Sequence, residues 1–318
     1  MHLVETMAYA GERPWHGLGN KLATQQPIEV WRRQAGMDWS IEESEVRFLV
    51  GKNGIGAINA FPEQKVLYRS DTHAPLSVVS KRYQVVQPGE ILEFYRDLTE
   101  VGGFELETAG VLREGRKFWA LAKTGQSAVL KRKDRVEGYL LLANACDGTL
   151  ATTAQFTSVR VVCNNTLSIA LGSNAGAIKV PHRSRFDADA VKRQLGLTVS
   201  TWDPFVARMR ALVECPVDPD SVDGLLRRVL TYPNSDGEGV AVNEQAYKVA
   251  RALYDGAGKG SELASARGTA WGVLSSVTEF VDHHRRARSD DHRRNAAWFG
   301  AGAQLKQRAW DEAMKLVA

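Results

Sequence analysis

The sequence predicts an α+β protein, an antiparallel sheet with flanking helices followed by a mostly helical C-terminal half. Three observations carry this prediction. Between residues 104 and 162, strand-like segments follow one another across the turn signals Arg113-Glu114-Gly115-Arg116 and Asp147-Gly148. From Asp187 onward apolar residues recur at helical spacing, as in Trp271, Leu274, Val277, Thr278 and Val281. The 318 residues are 44% hydrophobic and 25% charged, enough apolar material for one large core or two modest ones.

The elements are read in chain order. Residues 1–26 read as irregular, with Trp15 anchoring a chain reversal between Pro14 and Gly19. Pro27 opens a short helix, Ile28 to Gln34, which Gly36 stops. Strands are expected at Val46–Val50, Lys65–Arg69 and Leu76–Val79. Pro88-Gly89-Glu90 begins a helix through Ile91, Leu92, Tyr95 and Leu98, ended by Gly102-Gly103. Phe104–Leu112 and Lys117–Lys123 are strands. Tyr139–Ala145 and a Thr- and Val-rich strand ending at Val162 form a hairpin about Asp147-Gly148. Asn164 or Asn165 then caps a helix, Thr166 to Leu171, closed by Gly172. Helices follow from Asp187, from Asp203-Pro204, from Asp220 or Ser221 to about Tyr232-Pro233, and at 243–254, 269–284 and 301–317; residues 234–240 are a loop. This divides the chain into a strand and turn region at 1–87, an α+β core module at 88–172 and a helical region at 173–318.

Charge is the main functional signal. The net charge of +4 permits nucleic-acid binding without arguing for it, so its distribution matters more. Between Arg113 and Arg135 eight cations (Arg113, Arg116, Lys117, Lys123, Lys131, Arg132, Lys133 and Arg135) stand against two anions. Phe118 and Trp119 are interleaved. Such a stretch attracts phosphate backbones, and an exposed aromatic stacks on unpaired bases. The competing reading is a solvated loop, Lys123 to Arg135, between two strands, with Trp119 in the core. Arg160 adds a cation to the sheet. A second basic stretch, Lys179, His182, Arg183 and Arg185, precedes a helix N-terminus, where anions are favoured. It reads either as a phosphate site or as an exposed linker.

Other chemistry is poorly supported. The segment from Asp282 to Arg294 mixes histidine, aspartate and arginine. His283 and His284 diverge by about 100° on a helix, and five arginines oppose a divalent cation. It reads as a charged loop between helices, with phosphate contact as the second reading. His16 reads as a turn histidine bonded to backbone. Cys146 and Cys163 read as small hydrophobes beside the sheet. The three cysteines form no C-x-x-C pair. Neither a P-loop nor a dinucleotide fingerprint occurs in context, so no nucleotide cofactor is expected. The opening Met1-His2-Leu3-Val4-Glu5 is unlike a signal peptide, and no apolar run approaches eighteen residues; the expectation is a cytoplasmic protein.

Several separated motifs, taken as a set, resemble one family. They are Pro14-Trp15-His16-Gly17-Leu18-Gly19, Arg82-Tyr83-Gln84-Val85-Val86-Gln87, Asp147-Gly148-Thr149, the run from Thr157 to Leu167, and Thr269-Ala270-Trp271-Gly272 continuing to His283. Together they resemble the phage/plasmid-like protein family, domain of unknown function 932, over nearly the whole chain. The resemblance implies carriage by a mobile element inside a bacterial cell. A fold-level analogy goes further: a helix, antiparallel strands and a closing helix are similar to the core of single-strand annealing recombinases, which assemble into rings or filaments and need no ATP. The leading expectation is therefore single-stranded DNA binding and ATP-independent annealing in recombination, through the cations named above with Trp119, by a chain that also forms a homo-oligomer. The alternatives are an oligomeric scaffold or inhibitor of host defence, and a metal-dependent nuclease using Asp147, His182 or the 282–292 segment.

Overall fold

The computed structural model describes residues 4–11, 19–52, 55–100, 102–162, 165–168, 177–199, 202–233 and 240–317. The Trp15 and His16 turn, Cys163, the Asn164 cap and the 172–176 loop lie outside these residues. The protein is α+β, as its sequence predicts.

The N-terminal stretch read as irregular carries two strands, β1 (Val4–Ala10) and β2 (Asn20–Leu22), which pair in parallel. Their local pattern is weak, and β1 is held instead by a remote strand described below. Helix α1 (Ile28–Gln34) follows Pro27 and buries Ile28 and Trp31. Next, β3 (Ile41–Lys52), β4 (Ile55–Arg69) and β5 (Pro75–Ser80) form a separate antiparallel sheet. The helix expected from Pro88 divides into α2 (Pro88–Glu93) and α3 (Arg96–Glu100). Gln87 and Glu90 form a reciprocal capping box at its start, the Gln87 N–H donating to Glu90 Oε2 at 2.6 Å.

The main sheet contains β6 (Glu105–Leu112), β7 (Lys117–Leu130), β8 (Asp134–Ala145), β9 (Thr152–Arg160), β10 (Asn165–Ser168) and β11 (Ala177–Val180). Its order is β10-β9-β8-β7-β6-β1-β2, with β11 also on β9. β1 pairs antiparallel with β6, Met7 opposite Gly110. Glycine is required at that point, since a Cβ on Gly110 would lie 2.6 Å from the Trp119 ring.

Two sequence expectations are corrected in this sheet. The 123–135 segment is not a loop: β7 continues to Leu130 and β8 begins at Asp134, leaving a turn of three residues. The alternation of Ala128 and Leu130 inward with exposed neighbours already carries the strand period, which the flanking charges mask. The helix expected from Thr166 is, over Asn165–Ser168, the strand β10, with Thr166 opposite Val159. An available sheet edge satisfied that backbone in place of a helical turn.

The remaining elements are α4 (Ala188–Val199), α5 (Trp202–Glu214), α6 (Pro219–Val229), β12 (Thr231–Pro233), β13 (Val240–Val242), α7 (Glu244–Ala252), α8 (Ala270–Glu279), α9 (Asp290–Phe299) and α10 (Ala301–Met314). The 282–294 segment is thus only partly a loop, since Ser289 caps α9 by accepting from the His292 N–H. Single π-helical turns extend α7 (Leu253–Ala257) and α8 (Phe280–His284).

The chain forms two compact units, and neither is continuous in sequence. One comprises Met1–Thr124, Leu140–Gln155 and Ala177–Leu195; the other comprises Gly125–Tyr139, Phe156–Gly176 and Gly196–Ala318. In the first, Tyr95 is fully buried, its hydroxyl 3.0 Å from the Ala120 carbonyl and 2.9 Å from that of Leu140. In the second, α8 is buried along its whole length and packs against α5, α6, α7 and α10. The Thr269 hydroxyl caps α8 by accepting from the Gly272 N–H at 3.1 Å. Among the described residues, no helix is long and apolar enough to cross a membrane.

Candidate anion-binding cleft

The cations that the sequence offers as a single patch have different fates. In the first unit, Lys117 and Trp119 are buried in β7, and the Trp119 ring is core rather than a stacking surface. Burial beside the Arg113 charge lowers the Lys117 ammonium to about 8, with Asp147 only partly opposing this. Arg113 lies 3.8 Å from Asp147, and Lys123 is 3.2 Å from Glu107. Arg116 is exposed, as are Lys179, Arg183 and Arg185. His182 is half-buried, stacked on Tyr83 with ring centroids 4.4 Å apart, and its Nε2 is 3.0 Å from the Leu150 carbonyl. That histidine is therefore a packing residue of this unit.

In the second unit, Arg160 is a correction of the same kind. Its side chain is buried against Asp134, 2.8 Å away, so it faces no phosphate. A cation on a sheet face that becomes core must carry its counter-charge with it. At the β7–β8 turn Lys131 is 2.5 Å from Glu214, and Arg135 is 2.9 Å from Glu137. Arg132 and Lys133 are exposed and have no carboxylate partner among the described residues. Lys131 and Arg132 adopt left-handed backbone, φ 43° and 73°, which closes the short turn.

The histidine and aspartate segment is also spoken for by local partners. Asp282 pairs with buried Lys306 at 2.9 Å, and His292 Nδ1 is 3.0 Å from Ser289 Oγ. Among the described residues, no group of three or more His, Cys, Asp or Glu side chains is placed to hold a metal ion.

The concave site of the second unit lies elsewhere. A cleft of about 670 Å³ opens among β12, α7, the end of the π turn and α10. Leu230, Val249, Phe280 and Leu305 supply its apolar lining, and His284, Arg285, Arg286 and Arg308 its basic one. Among the described residues, no aspartate or glutamate lines it. Tyr232 borders it with about half its surface exposed (50%).

Local structure explains how the cations reach this wall. The π turn closes with the Arg285 N–H donating to the Phe280 carbonyl at 2.7 Å, and the chain then leaves the helix in an extended conformation at Arg285. Arg293 Nε donates to the Arg285 carbonyl at 2.8 Å and holds that exit in place. Arg308 Nη1 donates to the carbonyls of Val229 and Thr231, each at 3.2 Å, and so anchors its charge at the rim. Arg285 Nη1 is enclosed and has no hydrogen-bond partner among the described residues.

Of these residues, Arg285 and Arg286 fall in the segment whose second sequence reading was phosphate contact. Arg308 and Tyr232 carried no sequence signal, because each is a lone residue in an ordinary helical or turn context. A family model described as Domain of unknown function (DUF932) matches residues 75–298, which include every cation of the cleft except Arg308. Comparison with curated proteins and with solved structures gives no match.

Proposed function

The chain belongs to the DUF932 family, and from that premise we propose that it binds nucleic acid, single-stranded DNA in the first place, as a cytoplasmic protein of a bacterial mobile element. The observation that supports this reading is the acid-free cleft with Arg285, Arg286 and Arg308 in its lining. Arg285, Arg286 and Arg308 neutralise phosphates, and guanidinium forks match phosphate oxygens in geometry as well as charge. Tyr232, exposed at the border, offers a face to a base. A base has a free face only where it is unpaired, which favours single strands over duplex. Arg132 and Lys133 at the β7–β8 turn supply a second, weaker contact.

The operation we propose is ATP-independent annealing in recombination. Neutralising phosphates lowers the repulsion between two complementary strands, and pairing itself supplies the specificity. The family resemblance supports the mobile-element setting, and the fold-level analogy supports annealing.

Fluorescence anisotropy with a labelled oligonucleotide tests this at several salt concentrations. The expected result is salt-sensitive binding that prefers single strands and is weakened when Arg285 and Arg286 both become alanine. Micromolar protein that holds no oligonucleotide at low salt overturns the reading. So does binding unchanged both in that variant and in one with Lys131, Arg132 and Lys133 all alanine.

A further inference from the structure

The acid-free cleft of the second unit holds more positive charge than an internal nucleotide can answer. Its volume, about 670 Å³, is that of a site enclosing one small organic ligand. Three guanidiniums line it. Arg285 and Arg286 enter from the segment that follows the π turn, and Arg308 from α10, whose Ala301, Gln304, Leu305 and Arg308 recur at the spacing of one helix face. None of the three arginines meets a carboxylate among the described residues. The Val229 and Thr231 carbonyls that accept from Arg308 are neutral and leave its charge in place. His284 is not counted with them, since its Nε2 lies 3.9 Å from Glu279 Oε1.

Charge and acceptor number narrow the ligand. A phosphodiester within a strand carries one negative charge and offers two non-bridging oxygens, so an internal nucleotide brings at most the two diesters that flank it. A terminal phosphomonoester carries about −1.5 to −2 at neutral pH and offers three strong acceptors. With the diester that follows, a phosphorylated terminal nucleotide brings about three negative charges, which matches three guanidiniums. Guanidinium forks also pair with phosphate oxygens two at a time, and the monoester supplies the extra oxygen. The rest of the lining, Leu230, Val249, Phe280 and Leu305, is apolar. A bare polyanion offers that surface nothing, whereas a nucleotide covers it with its base.

We propose that this cleft holds the phosphorylated end of a single strand, with the terminal phosphomonoester on Arg285, Arg286 and Arg308 and the terminal base against the apolar lining. The assignment rests on the nucleic-acid reading above and narrows it from a stretch of strand to a strand end. A free nucleoside monophosphate carries the same chemistry, and the test separates the two sources.

Fluorescence anisotropy of the full chain tests the assignment, with single strands identical except for a phosphate or a hydroxyl at one terminus. The label sits at the opposite terminus, and both strand polarities are tried. One phosphorylated terminus is expected to bind at least about tenfold more tightly than its hydroxyl counterpart. Arg286→Ala, at an exposed position and with thermal unfolding as the check on its fold, should cut this ratio at least about threefold. Changing Lys131, Arg132 and Lys133 to alanine should leave the ratio as it is. Unlabelled deoxyadenosine monophosphate should displace the phosphorylated strand at least about a hundredfold less well than the unlabelled strand does. Equal affinity for the two ends, in a protein that still binds strands, overturns the strand-end assignment and leaves the broader reading standing; failure to bind either strand overturns both. A ratio unchanged in Arg286→Ala also overturns the assignment, as does displacement by the free nucleotide as effective as that by the strand.

Discussion

Arg160 Nε lies 2.8 Å and 2.9 Å from the two carboxylate oxygens of Asp134, with both side chains buried. The carboxylate also accepts from Ser265 Oγ at 2.6 Å and Trp271 Nε1 at 3.1 Å. Arg160 Nη2 donates to the Gly260 carbonyl at 3.1 Å. This arrangement joins the sheet strands of the second unit to the start of its buried helix α8. Each polar group has a partner, so the ion pair is tolerable in the core where a lone charge is not.

Breaking the pair from one side should therefore cost more than removing it. Asp134→Ala is expected to destabilise by about 3–5 kcal/mol, because Arg160 is left charged and unpaired. Asp134→Leu combined with Arg160→Met should cost markedly less than the two single changes summed. Urea unfolding of the four proteins measures the coupling; additive losses would show that the two side chains do not act as a unit.

Lys117 makes an unusual pH prediction. Its pKa is lowered by burial, from 10.5 to about 8. Between these values the unfolded chain binds the proton more tightly, so this group's contribution to stability rises with pH from about 8 to about 10.5. Lys117→Met removes the effect. The stability advantage of the variant over wild type, at most about 3 kcal/mol near neutral pH, should shrink across that window. A constant difference would mean that the ammonium is not held in a desolvated site.

Cys146 has the opposite sign. Burial raises its thiol to about 12, with the Asp147 charge adding to the effect. Above about pH 9 the unfolded chain loses this proton first, so stability falls as pH rises. The same burial predicts that folded protein resists iodoacetamide at Cys146 near pH 8, while Cys215, only half-buried, is alkylated. Peptide mass spectrometry reads both sites in one sample. Because the Lys117 and Cys146 slopes oppose each other above pH 9, the lysine effect is read from the variant difference rather than from the raw profile.

In the cleft, the variants separate charge from stacking. Arg285→Ala should flatten the salt dependence of single-strand binding by about 0.7 logarithmic units if it holds one phosphate. Tyr232→Ala should cost about 1–3 kcal/mol with little change in slope, and Tyr232→Phe should restore most of it. Trp119→Ala is expected to lower stability through its core cavity, and any loss of binding should follow the loss of folded protein.

Local features were legible wherever the physics is local. The Pro27 start of α1, the start of α2 at Pro88 and the Thr269 entry to α8 each depend on residues within one turn of each other. Strands β6 and β9 are likewise marked locally, by the turn signals beside them and, in β9, by a Thr- and Val-rich composition. Masked signals were those in which charge outweighed periodicity, as at Ala128 and Leu130 in β7, or in which a remote edge captured the backbone, as at β1 and β10.

The α+β class, the helix starts at Pro27, Pro88 and Thr269, the Asp147-Gly148 turn, the family, and the excess of cations over carboxylates between Arg113 and Arg135 are all written in the chain. Which of those cations face solvent depends on long-range packing. Asp134 meets Arg160 across 26 positions and Trp271 across 137, and the cleft gathers Tyr232, Arg285 and Arg308 from three separate elements. A charge is written in one residue, but its availability to a ligand depends on the burial and the counter-charge that folding brings to it.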